Sequence, residues 1–254
     1  MNQFNNPATQ SAATDVGLRS FLMGTYRKMI FAMLVTMAVA WGFANFVMFS
    51  NGAITPIGQM LFSPIGSLAL IILIPVAFGI VGAKVQSMSV MAVNVFLYGF
   101  AAVLGIWMSS IAALATGLLG SGFDPYLVPK VFFMASAAFA GVSLYGYVTK
   151  RDLGPIAKVA FMAFVGYIAL MLLGMFVPSM AIGGGLYQII TVIALIAVCA
   201  ITAWETQQLK RIYYGTVGNP EMATKLSTIG AASLLLSFVN IFNLLLSLFS
   251  SFGE

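Results

Sequence analysis

Seven long apolar segments run through this sequence and limit the folds open to it more than any other feature. Each has about 17–25 residues, the length that an α-helix needs to cross the hydrocarbon core of a bilayer. Hydrophobic residues form 61% of the 254-residue chain and charged residues only 7%, whereas soluble domains carry about 25% charged residues. The sequence therefore predicts an all-α, polytopic membrane protein, a bundle of seven transmembrane helices. These predicted helices, numbered one to seven, cover residues 29–49, 66–83, 90–114, 131–148, 156–177, 186–206 and 229–249.

The domain organisation is simple. Residues 1–18 are polar, rich in Asn, Gln, Ala, Thr and Ser, and they lack the apolar core of a cleavable signal peptide. We expect them to form a disordered N-terminal tail, and residues 19–254 to form a single transmembrane domain.

The basic residues are distributed unevenly between the gaps. If all seven helices cross the membrane, only Lys130 of the eleven Lys and Arg residues falls on the second side. Because Lys and Arg accumulate in cytoplasmic loops, we predict a cytoplasmic N-terminus and a periplasmic C-terminus. The residues on the first side are Arg19, Arg27, Lys28, Lys84, Lys150, Arg151, Lys158, Lys210, Arg211 and Lys225.

The residue types exclude several kinds of site. The chain has no histidine and one cysteine, Cys199, whereas zinc, haem and iron–sulfur sites need clusters of His or Cys. Without a histidine we find no nucleophile–base pair, so we expect no cofactor, no resident metal and no enzyme activity. The net charge of +5 does not indicate nucleic-acid binding, because the basic residues lie at the ends of apolar segments, where topology requires them.

Small residues are concentrated in predicted helix four. They let neighbouring backbones approach closely in lipid, and on this basis we expect helix four to lie at the centre of the bundle. The residues are Ala135, Ser136, Ala138, Ala140, Gly141 and Ser143.

Predicted helix seven carries a polar stripe. At 100° per residue its polar side chains fall on one face about 120° wide, and such a face must point into the protein. Two interpretations stay open: a path for water or ions, or hydrogen bonds between helices that fix their packing. On the other faces we expect Leu235 and Phe249 to face lipid. The stripe consists of Ser233, Ser237, Asn240, Asn243 and Ser247.

Glu205 is an acid inside the apolar segment of predicted helix six. It precedes Lys210 by about 7–8 Å along the helix axis. One interpretation is a structural glutamate that extends toward Lys210, Arg211 or Lys84. The other is a titratable group inside the bundle, opposite the stripe of helix seven. The residues alone leave both open.

Three segments resemble a known family. "SLYGYVTKRDLG" at residues 143–154, "ITAWETQQLKRIYYG" at 201–215 and "LSTIGAASLLLSFVNIFNLLLSLF" at 226–249 are similar to motifs of the Bax inhibitor family, also called the transmembrane Bax-inhibitor-motif family. The similarity extends over residues 17–252, with the motifs in matching order. It implies a multi-pass protein of the bacterial inner membrane, a seven-helix bundle with helix seven, rather than helix four, at its centre.

The resemblance also implies a function. The family is associated with a pH-sensitive calcium leak, in which an aspartate of helix six and one of helix seven share protons and latch the pore near an arginine of helix two. At the matching positions this chain has Glu205 and Ser237, and Lys84 is the only basic residue at the end of helix two. The implied ion path has Glu205 as its gate, with Ser237, Asn240 and Lys84 around it, and calcium or protons as the ions.

The two substitutions support a second hypothesis. A carboxylate opposite a hydroxyl does not form a coupled pair, and it offers calcium one charged ligand where hard cations prefer several. Bacterial relatives with the same Glu and Ser combination resemble modulators of the membrane-anchored AAA protease FtsH, which bind the protease and conduct no ion. The sequence therefore leaves open an ion leak and a regulatory partner of a membrane protease.

Overall fold

A computed structural model of the protein describes residues 7–50, 53–115 and 126–252. Its described residues form eight α-helices, with a π-helical turn at Ala44–Met48, a 3-10 turn at Pro178–Met180 and a two-stranded antiparallel ribbon of β1 (Phe49–Ser50) and β2 (Ala53–Ile54). The helices are α1 (Pro7–Phe43), α2 (Pro56–Phe62), α3 (Pro64–Lys84), α4 (Val90–Ala115), α5 (Leu127–Val148), α6 (Gly154–Phe176), α7 (Gly184–Gly215) and α8 (Pro220–Phe252).

The architecture is an all-α membrane bundle, as the sequence predicts. Within the described ranges, six helices are long and apolar enough to cross a bilayer: α1 together with the π-helical turn, α4, α5, α6, α7 and α8. The helix α3 has a shorter apolar segment, Leu68–Lys84, so a count of seven crossings stays a prediction.

The centre of the bundle is α8, which is predicted helix seven. It packs against α1, α4, α5 and α7, and Leu235 and Leu244, which lie on opposite sides of the helix, are both buried. The expectation that Leu235 faces lipid is therefore wrong, because protein surrounds α8 along this part of its length. Phe249, near the end of α8, is 37% exposed.

The expectation that predicted helix four forms the centre is also wrong. This helix is α5, and it packs on α7 and α8 from one side. The helix crosses α7 closely at Gly146, where an added Cβ would lie 2.1 Å from the carbonyl oxygen of Ala203, whereas Gly141 has no neighbouring atom within 4 Å of an added Cβ. Small residues permit backbones to approach, but they do not require that a helix be enclosed on all sides.

The helix α3 lies at the edge of the bundle. It makes few contacts, mainly with α2, α4 and α6, and Ile65, Ile72, Val76 and Ile80 are exposed. Pro75 lies in its interior, where it removes one backbone hydrogen bond. Lipid solvates the exposed aliphatic side chains of a membrane helix. The position of α3 at the edge therefore carries no free-energy penalty for exposing its apolar side chains.

The first helix begins earlier than expected. It extends from Pro7, so residues 7–18 are helical where we expected a disordered tail; residues 1–6 lie outside the described residues. Proline is compatible with the first turn of a helix, and adding residues to an existing helix costs less than nucleating a new one.

Contacts gather the basic residues at one end of the bundle, which we call the basic end. Lys28 on α1 meets Thr228 at the start of α8, Arg211 on α7 pairs with Asp152 between α5 and α6, and Lys210 donates to the carbonyl oxygen of Tyr147. The start of α4 joins them through a hydrogen bond between Thr228 and Asn94.

Candidate functional site

Glu205 forms the centre of the candidate site. Its two carboxylate oxygens accept hydrogen bonds from two hydroxyls of α8: Ser233 donates to Oε1, and Ser237 donates to Oε2 at 2.6 Å. The carboxylate thus points into the bundle toward α8, as one of the two interpretations holds, and does not extend to the basic residues at the end of α7.

The local structure explains this pairing. Ser233 and Ser237 are four positions apart on a continuous helix, so their side chains lie one above the other on the same face. Two hydroxyls in that arrangement match the two oxygens of one carboxylate. Ser237 is buried and Ser233 is half-buried, so the pair reaches from the protein interior to the edge of an open space.

That space is a cavity of about 840 Å³ between α3, α4, α6 and α8. Apolar side chains form most of its wall, including Phe78 of α3, Trp107 of α4 and Phe164 of α6. Glu205 and Ser233 lie at its edge, and Asn240 and Asn243 of α8 continue the polar side of its lining. One carboxylate and a short polar row therefore face a large and otherwise apolar chamber.

The two asparagines differ from the serines in their contacts. Asn240 and Asn243 are half-buried, and over the described part of the chain neither amide has a hydrogen bond to another side chain. At these two positions the stripe of α8 faces the cavity. The stripe differs at its C-terminal end, where Ser247 and Tyr187 of α7 share a hydrogen bond of 2.6 Å.

The structure does not bring Lys84 to Glu205. Lys84 is exposed at the end of α3, and no ion pair joins it to Glu205 among the residues that the structure describes. The reason is its position: the last cavity residue of α3 is Phe78, and Lys84 lies about 9 Å beyond it along the helix axis.

The two residues after Glu205 attach α7 to other elements. Thr206 shares a hydrogen bond of 3.3 Å with the hydroxyl of Tyr26 on α1. The Gln207 amide group donates to the carbonyl oxygen of Arg151 at 2.7 Å and accepts from the backbone N–H of Leu153 at 3.0 Å. Sequence analysis missed this clamp on the connection between α5 and α6. The signal was a glutamine two positions after the acid in the same helix.

Sequence analysis also missed a polar cluster around Lys28. We assigned this residue to topology alone, yet its ammonium donates to Thr228 Oγ1 at 2.8 Å and to the carbonyl oxygen of Thr224 at 3.3 Å. Beside it, the hydroxyls of Thr25 and Ser227 are 2.8 Å apart. The cluster fixes α1 to the beginning of α8 through neutral oxygens.

The described residues contain no group of three or more His, Cys, Asp or Glu side chains that could hold a metal ion. Around Glu205 the available ligands are one carboxylate and neutral oxygens of Ser and Asn. This donor set suits a proton, or a cation that keeps much of its water, better than a dehydrated divalent ion.

The fold and the site define a class: multi-pass helical membrane proteins in which a carboxylate of one helix binds the hydroxyls of a central C-terminal helix. The model of the family described as "Inhibitor of apoptosis-promoting Bax1" matches residues 18–254. The chain therefore belongs to the Bax inhibitor family, as the motifs predict.

Bacterial relatives cover nearly the whole chain. The inner membrane protein YbhL of Escherichia coli K12 is 28% identical over 236 residues, 92% of this chain and 93% of the relative. Proteins of Caulobacter vibrioides and Rickettsia prowazekii are 26% and 29% identical, over 100% and 90% of this chain and 100% and 88% of their own lengths. With the apolar helices, the similarity to YbhL identifies a multi-pass inner-membrane protein.

Proposed function

We propose that this protein is a pH-sensitive ion leak in which Glu205 is the gate. One observation carries the proposal: the Glu205 carboxylate is held by Ser233 and Ser237 of the central helix at the edge of the large cavity. A titratable group that both links two helices and borders an open space can couple its protonation to the opening of that space.

The coupling follows from the hydrogen bonds. An ionised carboxylate only accepts hydrogen bonds, and here it accepts one on each oxygen. Protonation turns one of these oxygens into a donor, so one serine hydroxyl must turn away or reverse its bond. Each proton taken up by Glu205 therefore changes the link between α7 and α8.

The path for the ion follows the polar side of α8. From Glu205 it passes Asn240 and Asn243, whose side chains line the cavity, toward the end of α8 that carries Ser247. Because the path offers one negative charge, protons and partly hydrated cations are the species to test, with calcium first because of the family.

The experiment uses the purified full-length protein in liposomes loaded with a calcium-sensitive dye. We expect calcium entry that differs between pH 6 and pH 8. Glu205→Gln should remove most of this pH dependence, and Ser237→Asp should strengthen it, because two facing carboxylates couple their titrations.

A matched control is Glu221→Gln, which removes a carboxylate from the exposed beginning of α8, where Glu221 pairs with Lys225. It should leave the pH dependence unchanged. A leak whose pH dependence is the same in wild type and Glu205→Gln would contradict the gate, whatever its size.

A second candidate is a non-transporting regulator that binds a membrane-anchored AAA protease of the FtsH type. It is favoured by the filled hydrogen bonds of Glu205 and by the lack of a metal-binding cluster over the described ranges, which suit a structural carboxylate. Two results together would support this candidate over the leak. The liposomes would stay impermeable to calcium and protons at both pH values, and the protease would co-purify with the protein from bacterial membranes.

A further inference from the structure

A second cavity lies between α1 and α5, and its lining shares no residue with the Glu205 cavity. It has a volume of about 550 Å³. Met23, Met29 and Met33 of α1 form one wall, and Phe139 and Leu144 of α5 form the other. Met23 and Leu144 are 61% and 62% exposed, so the cavity is a groove that opens sideways between two helices.

The charged group of this groove lies at one end. Arg19 and Tyr147 line it at the basic end of the bundle, and both side chains are exposed. One turn further in on α5 is Ser143, which is only 6% exposed. Its hydroxyl is buried and has no hydrogen-bond partner in the described structure. A buried hydroxyl without a partner is rare and unfavourable, and the residue that carries it lines the groove.

The dimensions of the groove match one lipid tail. Its lining on α1 extends from Arg19 to Met33, which is about 21 Å along a helix axis. One leaflet of the hydrocarbon core is about 15 Å deep. A chain that starts at the level of Arg19 therefore reaches the middle of the bilayer inside the groove.

We propose that this groove binds one anionic phospholipid from the leaflet at the basic end. Arg19 binds the phosphate, because a guanidinium matches phosphate geometry and charge. On binding, the Ser143 side chain turns so that its hydroxyl, buried in the free protein, donates to an ester carbonyl oxygen and gains its missing hydrogen bond. One acyl chain lies against the methionines, whose flexible side chains adapt to irregular apolar partners.

The test measures which lipid stays bound. The full-length protein is purified in mild detergent with equal amounts of phosphatidylglycerol and phosphatidylcholine of identical chains, and native mass spectrometry counts the bound lipids. We expect one retained lipid with a preference for phosphatidylglycerol. Arg19→Gln should reduce that preference about fivefold, the effect of one basic residue beside an anionic surface.

Two matched controls separate this site from general attraction to the membrane. Arg27→Gln removes an equal charge from an exposed position of α1 outside the groove, and it should keep the preference. Ala140→Phe fills the groove and should lower the retention of both lipids, whereas Ala137→Phe, on an exposed position of α5 outside the lining, should not.

The proposal is overturned if wild type retains both lipids equally, or if Arg19→Gln and Arg27→Gln lose the preference to the same extent. It is also overturned if Ala140→Phe and Ala137→Phe retain lipid alike while both proteins unfold at the wild-type temperature.

Discussion

The helices α8 and α3 are both apolar, yet they occupy opposite environments. Protein surrounds α8 through much of its length, whereas α3 makes few contacts and exposes aliphatic side chains along its length. Their polar content separates them: α8 carries a row of Ser, Thr and Asn, and the apolar part of α3 has none between Leu68 and Lys84. In a membrane, lipid solvates apolar side chains as well as protein does, so polar side chains and close packing decide which helix is central.

The two helices also form opposite walls of the candidate site. The polar wall of the Glu205 cavity belongs to α8, and part of its apolar wall belongs to α3. Hydrogen bonds hold the α8 wall in place. The α3 wall is held by a few apolar contacts and contains Pro75. A change in cavity shape therefore costs less free energy if α3 moves than if α8 moves.

The prediction with the largest expected effect is that α3 crosses the membrane. The helix α3 begins directly after α2. The N-cap residue of α2, Thr55, donates its backbone N–H to the carbonyl oxygen of Met48, in the π-helical turn that follows α1. The other end of α3 adjoins the start of α4 at the basic end. We therefore expect α3 to span the bilayer, which places the N-terminus in the cytoplasm and the C-terminus in the periplasm. Alkaline phosphatase fused after Glu254 should be active, and the same enzyme fused after Arg151 should be inactive.

The opposite pattern would follow if α3 turned back within the membrane. The connection between α5 and α6 would then be periplasmic and the C-terminus cytoplasmic, so activity would move from the Glu254 fusion to the Arg151 fusion. That result would end both the count of seven crossings and the predicted orientation.

The second prediction compares how densely protein packs around α8 and around α3. Ala231 of α8 is completely buried and Ala69 of α3 is exposed. Ala231→Leu should lower the free energy of unfolding by about 1–3 kcal/mol, because added methylene groups in a packed core force their neighbours apart. Ala69→Leu should change it by less than about 0.5 kcal/mol. Reversible unfolding by sodium dodecyl sulfate in mixed micelles measures both, and equal costs would contradict the peripheral position of α3.

Sequence reasoning predicted the positions of most helices but not their lengths or neighbours. The predicted ranges 90–114 and 156–177 agree closely with α4 and α6, whereas residues 186–206 and 229–249 cover only parts of α7 and α8. The prediction was based on apolar segments, and these two helices continue beyond their apolar segments with Lys210, Arg211 and Lys225. Leu235 shows the other limit, because a leucine that contacts lipid and one that contacts protein look identical in a sequence.

The candidate site was predictable where a residue was unusual for its surroundings. Glu205 stands out in an apolar segment, and the spacing of Ser233 and Ser237 marks the face of α8 that receives it. Lys28 could not be recognised, because a lysine near the end of a membrane helix has an ordinary explanation in topology. Its hydrogen bond to Thr228 joins positions 200 residues apart in the chain, and no local pattern records such a contact.

The third prediction compares two positions on the polar face of α8: Ser237, which bonds to α7, and Asn240, which lines the cavity that α3 borders. Ser237→Ala removes a hydrogen bond to a carboxylate and should cost about 1–2 kcal/mol in the same unfolding assay. Asn240→Leu places an apolar group in an apolar chamber and should cost less than about 0.5 kcal/mol. If Asn240→Leu costs as much as Ser237→Ala, the Asn240 amide has a binding partner that its position on the cavity wall does not indicate.

The prediction with the smallest expected effect concerns the basic end. There the exposed ion pair of Arg211 and Asp152 connects α7 to the region before α6. Lys84, at the end of α3, takes part in no ion pair among the described residues. The backbone N–H of Gly154 and the Arg211 side chain lower the pKa of Asp152. A carboxyl group with a lowered pKa stabilises the folded state above its ordinary pKa of about 3.9 and loses that contribution as the pH falls through the lowered value. Asp152→Asn keeps an oxygen for Gly154 but loses the charge, so it should unfold at a slightly lower temperature than wild type at pH 7 and at the same temperature near pH 2. Lys84→Gln should match wild type at both pH values, and a deficit of Asp152→Asn that persists at pH 2 would show that the charge of Asp152 is not its source.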